Sequence, residues 1–192
     1  MRAVVFTLPA ALALSACIEV DVAIEVLGED EARVTGYMQM ERAMFEMAGA
    51  DASFCEEEEG GTLTLTDMHA RCDFDQTGSF DEIMSADSDE EVPVDLQGQL
   101  ESLGDGRVRA FMPLTGMTDD MDEMMDDPAM MAMMRQMMSG MSVTFTVKGS
   151  DIESSTGTIS EDGTSATVSF GVDDLLAPAD ERPVDFETIL RY

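Results

Sequence analysis

Methionine side chains form the densest group of potential ligands in this sequence. Eleven of the 19 methionines fall in one stretch, residues 117–141, which reads MTDDMDEMMDDPAMMAMMRQMMSGM. Thioethers at this density fit three interpretations: adaptable filler in core or lid helices, a flexible apolar surface for a lipid or a partner helix, or a Cu(I) site of converging sulfurs. Spacing alone leaves all three open. The candidate ligand-contacting residues are Met124, Met130, Met134, Met137 and Met138.

Two helices are predicted to position these sulfurs. Asp127 followed by Pro128 is a strong helix start, and Gly140 is a typical stop. The segment therefore predicts helices over about 118–126 and about 128–139. At helical spacing, one face of the second helix carries Met130, Met134, Met137 and Met141.

Cys17 has a different context, because it follows an N-terminal leader. Arg2 precedes an apolar run that is too short to span a bilayer and is typical of a secretory signal. The leader ends in Leu14-Ser15-Ala16-Cys17, which resembles the lipobox of bacterial lipoproteins. That resemblance implies removal of residues 1–16 as a signal peptide, lipidation of the Cys17 thiol and acylation of the new amine, with palmitate as the expected label. In well-studied Gram-negative bacteria, an Asp directly after the lipidated Cys retains a lipoprotein in the inner membrane. Here Ile18 stands at that position. The resemblance therefore points to the outer membrane, facing the periplasm.

Cys55 and Cys72 are the other two cysteines. Export would place them in an oxidising compartment, where we expect them to form a disulfide. Closing this loop of about 17 residues stabilises the fold by about 3 kcal/mol. A competing interpretation adds His69, the only histidine, to make a metal site, but it lacks paired C-x-x-C spacing and a clear fourth ligand.

Alternating apolar and polar residues predict a β-rich domain. Residues 18–27 alternate strictly and predict a strand that begins directly at the anchor, with a return strand over 32–40 and a bulge at Gly36. Helices are predicted over 41–48, with Met44, Phe45 and Met47 facing a core, and over 80–86 with Ser79 as N-cap. Further strands are predicted over 62–67, 70–75, 92–100, 106–114, 142–149, 164–170 and 186–191. Residues 17–192 thus form a single acidic α+β domain, with short helices on one face of an antiparallel sheet.

The charge balance excludes several classes of partner. The chain has 10 basic and 41 acidic residues, a formal net charge of −31. Nucleic acid binding needs a basic face, so no nucleic acid partner is expected, and adsorption to anionic lipid by charge is excluded as well. No pair of carboxylates and no nucleophile–base pattern stands out, so we expect neither an enzyme nor a cofactor.

The order of elements resembles a known family. The sequence runs from CIEVDVAIEVL and ARVTGYMQM through CDFDQTGSFDEIM to VTFTVKGSDIESSTGTISEDGTSATVSFGVDDLL. This layout is similar to that of the LppM-like lipoproteins of bacterial envelopes. The resemblance implies an α+β domain with a curved antiparallel sheet, exposed at the envelope and able to bind lipid or glycolipid. Relatives often carry a C-terminal membrane helix; this sequence closes with Ile189-Leu190-Arg191-Tyr192, and no such helix is expected.

These observations predict a lipid-anchored envelope lipoprotein with a non-enzymatic binding or structural role. Its expected partners are the membrane, through the anchor, and a lipid or an envelope protein. The alternative is a methionine-rich lipoprotein that handles Cu(I).

Overall fold

The alternating segments of the sequence become strands. A computed structural model of the chain describes residues 18–47, 49, 55, 61–84, 98–114, 128–178, 181–182 and 184–192. Within these residues the strands are β1 (Glu19–Gly28), β2 (Glu31–Glu41), β3 (Gly61–Leu65), β4 (His69–Gly78), β5 (Gln99–Gly104), β6 (Arg107–Met112), β7 (Ser142–Lys148), β8 (Asp151–Ser155), β9 (Thr158–Ile159), β10 (Ser165–Gly171) and β11 (Phe186–Arg191). The helices are α1 (Arg42–Met47), α2 (Phe80–Met84), α3 (Pro128–Met137) and α4 (Val172–Leu175).

The strands form two curved open sheets, so the predicted α+β class is confirmed. The larger sheet has the order β3-β4-β2-β1-β7-β10-β9, and the smaller sheet has the order β5-β6-β11-β8. The sequence predicts one sheet with antiparallel pairing; the structure has two, and β1 pairs with β7 in parallel. Alternation in a sequence shows which side chains face inward, but it does not identify the neighbouring strand.

Side chains from both sheets form an apolar cluster, which we call the core cluster. Ile24 of β1 and Phe145 of β7 are buried in it together with Val108 of β6 and Leu190 of β11. On the opposite face of the larger sheet, the hydroxyl groups of Thr146 and Thr167 lie 3.0 Å apart. The larger sheet is therefore apolar on the side that faces the smaller sheet and polar on the other.

The hairpin of β1 and β2 corrects the predicted bulge. The register is regular at Gly36, which lies opposite Val22 on one side and Phe74 on the other. The irregularity is instead between Val26 and Gly28, beside the turn. A Cβ at Gly36 would overlap the carbonyl oxygen of Asp21 and come 2.8 Å from the Phe74 ring. Glycine is needed here for close packing between strands.

The short helix α2 begins with the predicted cap. The Ser79 hydroxyl accepts the backbone N–H of Glu82 at 3.3 Å, and the Glu82 carboxylate accepts the Ser79 backbone N–H at 2.9 Å. This is a reciprocal capping box. The hydrogen bonds from Ser79 hold the pKa of Glu82 below its usual range. Phe80, the first residue of α2, is buried in the core cluster.

Three other expectations need correction. Strand β5 runs over Gln99–Gly104 and ends four residues later than the strand predicted over 92–100, of which residues 92–97 lie outside the described part of the chain. The sequence reading missed β8 and β9, which are short and have exposed or half-buried side chains at most positions. Met47, predicted to face the core, is 81% exposed, whereas its neighbour Phe45 is buried.

Candidate functional site

The first described residue, Ile18, is already hydrogen-bonded to the sheet. Cys17 lies outside the described residues, and Ile18 follows it directly. The Ile18 carbonyl oxygen accepts the backbone N–H of Ser142 at 2.9 Å, and β1 continues from Glu19 between β2 and β7. A group attached at Cys17 is therefore one peptide bond away from Ile18, which directly precedes β1, the central strand of the larger sheet.

Several elements meet where β1 begins. Strand β2 ends at this end of the sheet and β4 begins there, because Glu41 pairs with His69. Strand β7 begins there and β10 ends there, because Ser142 pairs with Gly171. We call this end of the larger sheet the Ile18 edge. The elements connected to it are α1, the β3–β4 turn (residues 66–68), the C-terminal end of α3, and α4.

Helix α1 packs beside the β3–β4 turn at the Ile18 edge. The backbone N–H of Arg42 donates to the Met68 carbonyl oxygen at 2.9 Å. The Thr66 hydroxyl accepts the backbone N–H of His69 at 2.9 Å, which closes the turn. An open groove of about 510 Å³ separates helix and turn. Its lining residues are Arg42, Ala43, Glu46, Leu65, Thr66 and Asp67.

The sequence reading missed this groove. Its signal was weak, because α1 has only six residues and fewer than two full turns, so periodicity hardly fixes which side faces inward. Phe45 anchors the helix, and Arg42 forms a salt bridge of 2.7 Å with Glu46 one turn later. Around this polar groove, Met47, Leu65 and Met68 are all exposed.

The predicted disulfide is present. Cys55 and Cys72 are bonded, with their Cα atoms 5.4 Å apart. Both cysteines are buried, and Cys72 lies on β4 opposite Met38. Because the two sulfurs are bonded to each other, they are not available as thiolate ligands. The competing interpretation, a metal site of Cys55, Cys72 and His69, is therefore wrong. In the part of the chain that the structure describes, no three His, Cys, Asp or Glu side chains are grouped to hold a metal ion.

The second predicted methionine helix is present as α3. It starts at Pro128, as predicted, and is followed by a turn in which Gly140 has a φ of 84°. Met130 is 45% exposed and Met133 is 61% exposed. Arg135 donates to the Asp173 carboxylate at 3.1 Å, which ties α3 to α4. None of the described side chains of α3 belongs to the core cluster, so this part of the methionine segment lies on the surface.

The other candidate methionines are only partly described. Met138 is half-buried just after α3. The side chains of Met134 and Met137, and the whole of Met124, lie outside the described residues, as does the first predicted helix. The Cu(I) interpretation, which needs converging sulfurs, therefore stays an untested alternative.

A small crevice lies between the two sheets, next to Met84 of α2. Its volume of about 10 Å³ is close to the minimum that holds one water molecule, so this crevice does not accommodate an acyl chain. An acyl chain would need a larger site, such as the surface around α1 or α3.

A polar cluster lies on the outer face of the sheet beside the Ile18 edge. The Tyr37 hydroxyl donates to the Glu19 carboxylate at 2.6 Å. This hydrogen bond is the largest cause of the raised pKa of Tyr37, since the ionised phenol would have no proton to donate to Glu19. Glu19 directly follows Ile18, so the phenol helps to fix the first residues of β1.

No helix among the described residues combines the length and the hydropathy needed to cross a bilayer. No protein-family model matches the chain, and no curated protein matches its sequence. The fold is similar to the NMR structure of the folded domain of the LppM protein from Mycobacterium tuberculosis, with a TM-score of 0.55 and 11% sequence identity. The similarity covers 95% of this chain and 94% of the LppM domain. At so low an identity it establishes the fold alone: the chain has an LppM-like fold.

Proposed function

We propose that this chain is a lipoprotein of the bacterial cell envelope, acylated at Cys17, with a non-enzymatic binding or structural role. The lipobox-like Leu14-Ser15-Ala16-Cys17 after an apolar leader supports the anchor. The similarity to the LppM folded domain also supports a lipoprotein. A disulfide between Cys55 and Cys72 is typical of a protein in an oxidising compartment.

The observation that carries this proposal is the position of Ile18. It is hydrogen-bonded to Ser142 one residue after the proposed acylation site, so the anchor joins the middle of the larger sheet without a tether. Two lipid signals already suffice for stable membrane attachment, and a fully acylated Cys17 would carry three acyl chains. The domain would then sit against the membrane surface. Because Ile18 is not Asp, we propose the outer membrane, facing the periplasm.

The binding role that we propose is recognition of a lipid or glycolipid at the surface. Its support is the exposed methionine surface of α3, where Met130 and Met133 face solvent. Met is flexible and polarisable, and it adapts to irregular apolar partners. The crevice of about 10 Å³ between the sheets is too small for an acyl chain, which favours a surface site.

Acylation is tested by changing Cys17 to Ser. The wild-type chain should incorporate radiolabelled palmitate and fractionate with membranes, and the Cys17→Ser variant should do neither, because acylation needs the thiol. A chain with both Cys55→Ser and Cys72→Ser should still be labelled, which assigns the label to Cys17. Equal labelling of wild type and the Cys17→Ser variant, or labelling of neither, would refute the anchor. Fractionation of an Ile18→Asp variant, which should move to the inner membrane, tests the location.

A further inference from the structure

We propose that the exposed apolar side chains of α1 and the β3–β4 turn form a membrane-contact surface that rests in the headgroup region of a zwitterionic lipid bilayer. This inference rests on the proposed acylation of Cys17. It adds an orientation, with the Ile18 edge facing the membrane, and a second contact besides the anchor.

The surface has the composition expected for such a contact. Met47 is 81% exposed, Met68 is 69% exposed and Leu65 is 46% exposed. They belong to adjoining elements, because Leu65 lines the same groove as Ala43 and Glu46 of α1, and the Met68 carbonyl oxygen accepts the backbone N–H of Arg42. Large apolar side chains grouped in this way on a protein surface usually mark an interaction site.

The length of chain between the surface and the anchor identifies the partner. Consecutive Cα atoms are about 3.8 Å apart, so an acylated Cys17 holds Ile18 within a few ångströms of the membrane interface. The methionines lie at the same edge of the sheet as Ile18, because Glu41, which directly precedes α1, pairs with His69 beside the turn. An anchor this short brings the Ile18 edge, and no other end of the sheet, to the bilayer.

The opposite end of the same sheet differs in character. Its β1–β2 turn contains Glu29 and Asp30 and is followed by Glu31 of β2, with Leu27 as an exposed neighbour. Tyr192 also lies toward that end, since the adjacent Arg191 carbonyl accepts the N–H of Ser150, just beyond the end of β7. Leu27 and Tyr192 are therefore internal references for a side chain far from the membrane.

The charges around the groove select the type of lipid. Glu46 and Asp67 line it together with Arg42, whose charge is paired with Glu46. The surface therefore has an excess of negative charge, and anionic headgroups repel it. Zwitterionic headgroups do not, and burial of the methionine side chains then favours contact.

The test is hydroxyl-radical footprinting of the acylated full-length chain in phosphatidylcholine vesicles, with the Cys17→Ser chain in solution as reference. Mass spectrometry of the N-terminal peptide verifies acylation first. Met47, Leu65 and Met68 should be modified several-fold more slowly on vesicles than in solution. Leu27 and Tyr192 should be modified at the same rate in both.

Variants with added charge distinguish insertion of these side chains into the membrane from mere closeness to it. A chain with Met47→Glu and Met68→Glu should still be acylated but should lose the protection of Leu65, because two buried carboxylates oppose insertion. Leu27→Glu adds a charge at the opposite end and should leave the protection of Leu65 intact.

Three outcomes would overturn the inference. An acylated chain whose methionines react equally on vesicles and in solution would refute the contact while leaving the anchor standing. Absence of acylation would remove both. Protection of Met47 and Met68 in the concentrated Cys17→Ser chain without vesicles would assign the surface to a second copy of the protein.

Discussion

The guanidinium carbon of Arg71 lies 3.6 Å from the centre of the Tyr37 ring, on the neighbouring strand of the larger sheet. Arg71 also forms a salt bridge of 2.7 Å with Asp73, and the Tyr37 hydroxyl donates to Glu19. The cation–π contact thus joins β4 to β2 and the hydrogen bond joins β2 to β1 on the polar face, while the ion pair holds Arg71 in place within β4. This cluster holds β1 in place right beside the Ile18 edge.

The Tyr37 phenol should therefore titrate above its ordinary value of 10.0. The contribution of Tyr37 to stability is complete below that ordinary value and is lost as pH rises through the raised pKa of the folded state. Ultraviolet absorbance during alkaline titration measures the phenolate, and Tyr37→Phe assigns its signal, since the chain has two tyrosines. Glu19→Gln should lower the pKa of Tyr37 by removing the adjacent negative charge. An unchanged titration in Glu19→Gln would show that Glu19 is not the cause.

Loss of the disulfide should destabilise the domain. Cys55 and Cys72 are 17 residues apart, and opening a loop of this length lowers the free energy of unfolding by about 3 kcal/mol. Urea denaturation of a chain carrying Cys55→Ser and Cys72→Ser, compared with oxidised wild type, measures the difference. Wild type treated with a reductant should match the double variant. Equal stability of all three would contradict a closed disulfide in the native protein.

Gly36→Ala should be destabilising by about 1–3 kcal/mol, the usual cost of overpacking, because the new methyl group meets the Asp21 carbonyl oxygen and the Phe74 ring. Gly28→Ala is the matched control in the same hairpin. Its new Cβ would meet only the Cβ of Glu31, at 3.8 Å, so the stability should change by less than about 0.5 kcal/mol. Thermal unfolding of both variants gives the comparison, and similar losses at the two sites would contradict the close packing at Gly36.

The methionines of α3, together with Met138 just after it, can be tested for binding of lipid against binding of copper. Replacing Met130, Met134, Met137 and Met138 with Leu keeps the side chains apolar and removes their sulfurs. Binding of a fluorescent fatty acid should survive this change and depend little on salt, since binding is apolar. Met112→Leu, in the buried core, is the matched control. Tight Cu(I) binding that is lost in the Leu variant, with no fatty-acid binding by either form, would establish the copper alternative instead.

Local patterns in the sequence predicted the local structure well. Strict alternation from Ile18 onward located β1, and Asp127-Pro128 located the start of α3, because each pattern depends on neighbouring residues only. The disulfide followed from the expected compartment and from there being two remaining cysteines. These features need no knowledge of which segments meet in space.

Features that depend on distant partners were not predictable in the same way. Nothing in the alternation of β7 shows that it lies parallel to β1, or that β11 belongs to another sheet. The groove beside α1 depends on the packing of Phe45 and on the hydrogen bond between Arg42 and Met68. In α1, one methionine is exposed and another is half-buried, a difference that composition does not reveal.

The strand order also has a consequence for how the domain assembles. Glu19 of β1 pairs with Ser142 of β7, and β11 fills the gap between β6 and β8 in the smaller sheet. A chain that emerges from its N-terminus can form the β1–β2 hairpin early, but one side of β1 stays unpaired until β7 arrives. The smaller sheet is completed later still, because β11, which lies between β6 and β8, is the last strand of the chain. Contacts this distant in sequence make folding slow and leave strand edges open to wrong partners in the meantime. We therefore expect the nascent chain to be prone to aggregation until its last strand is in place.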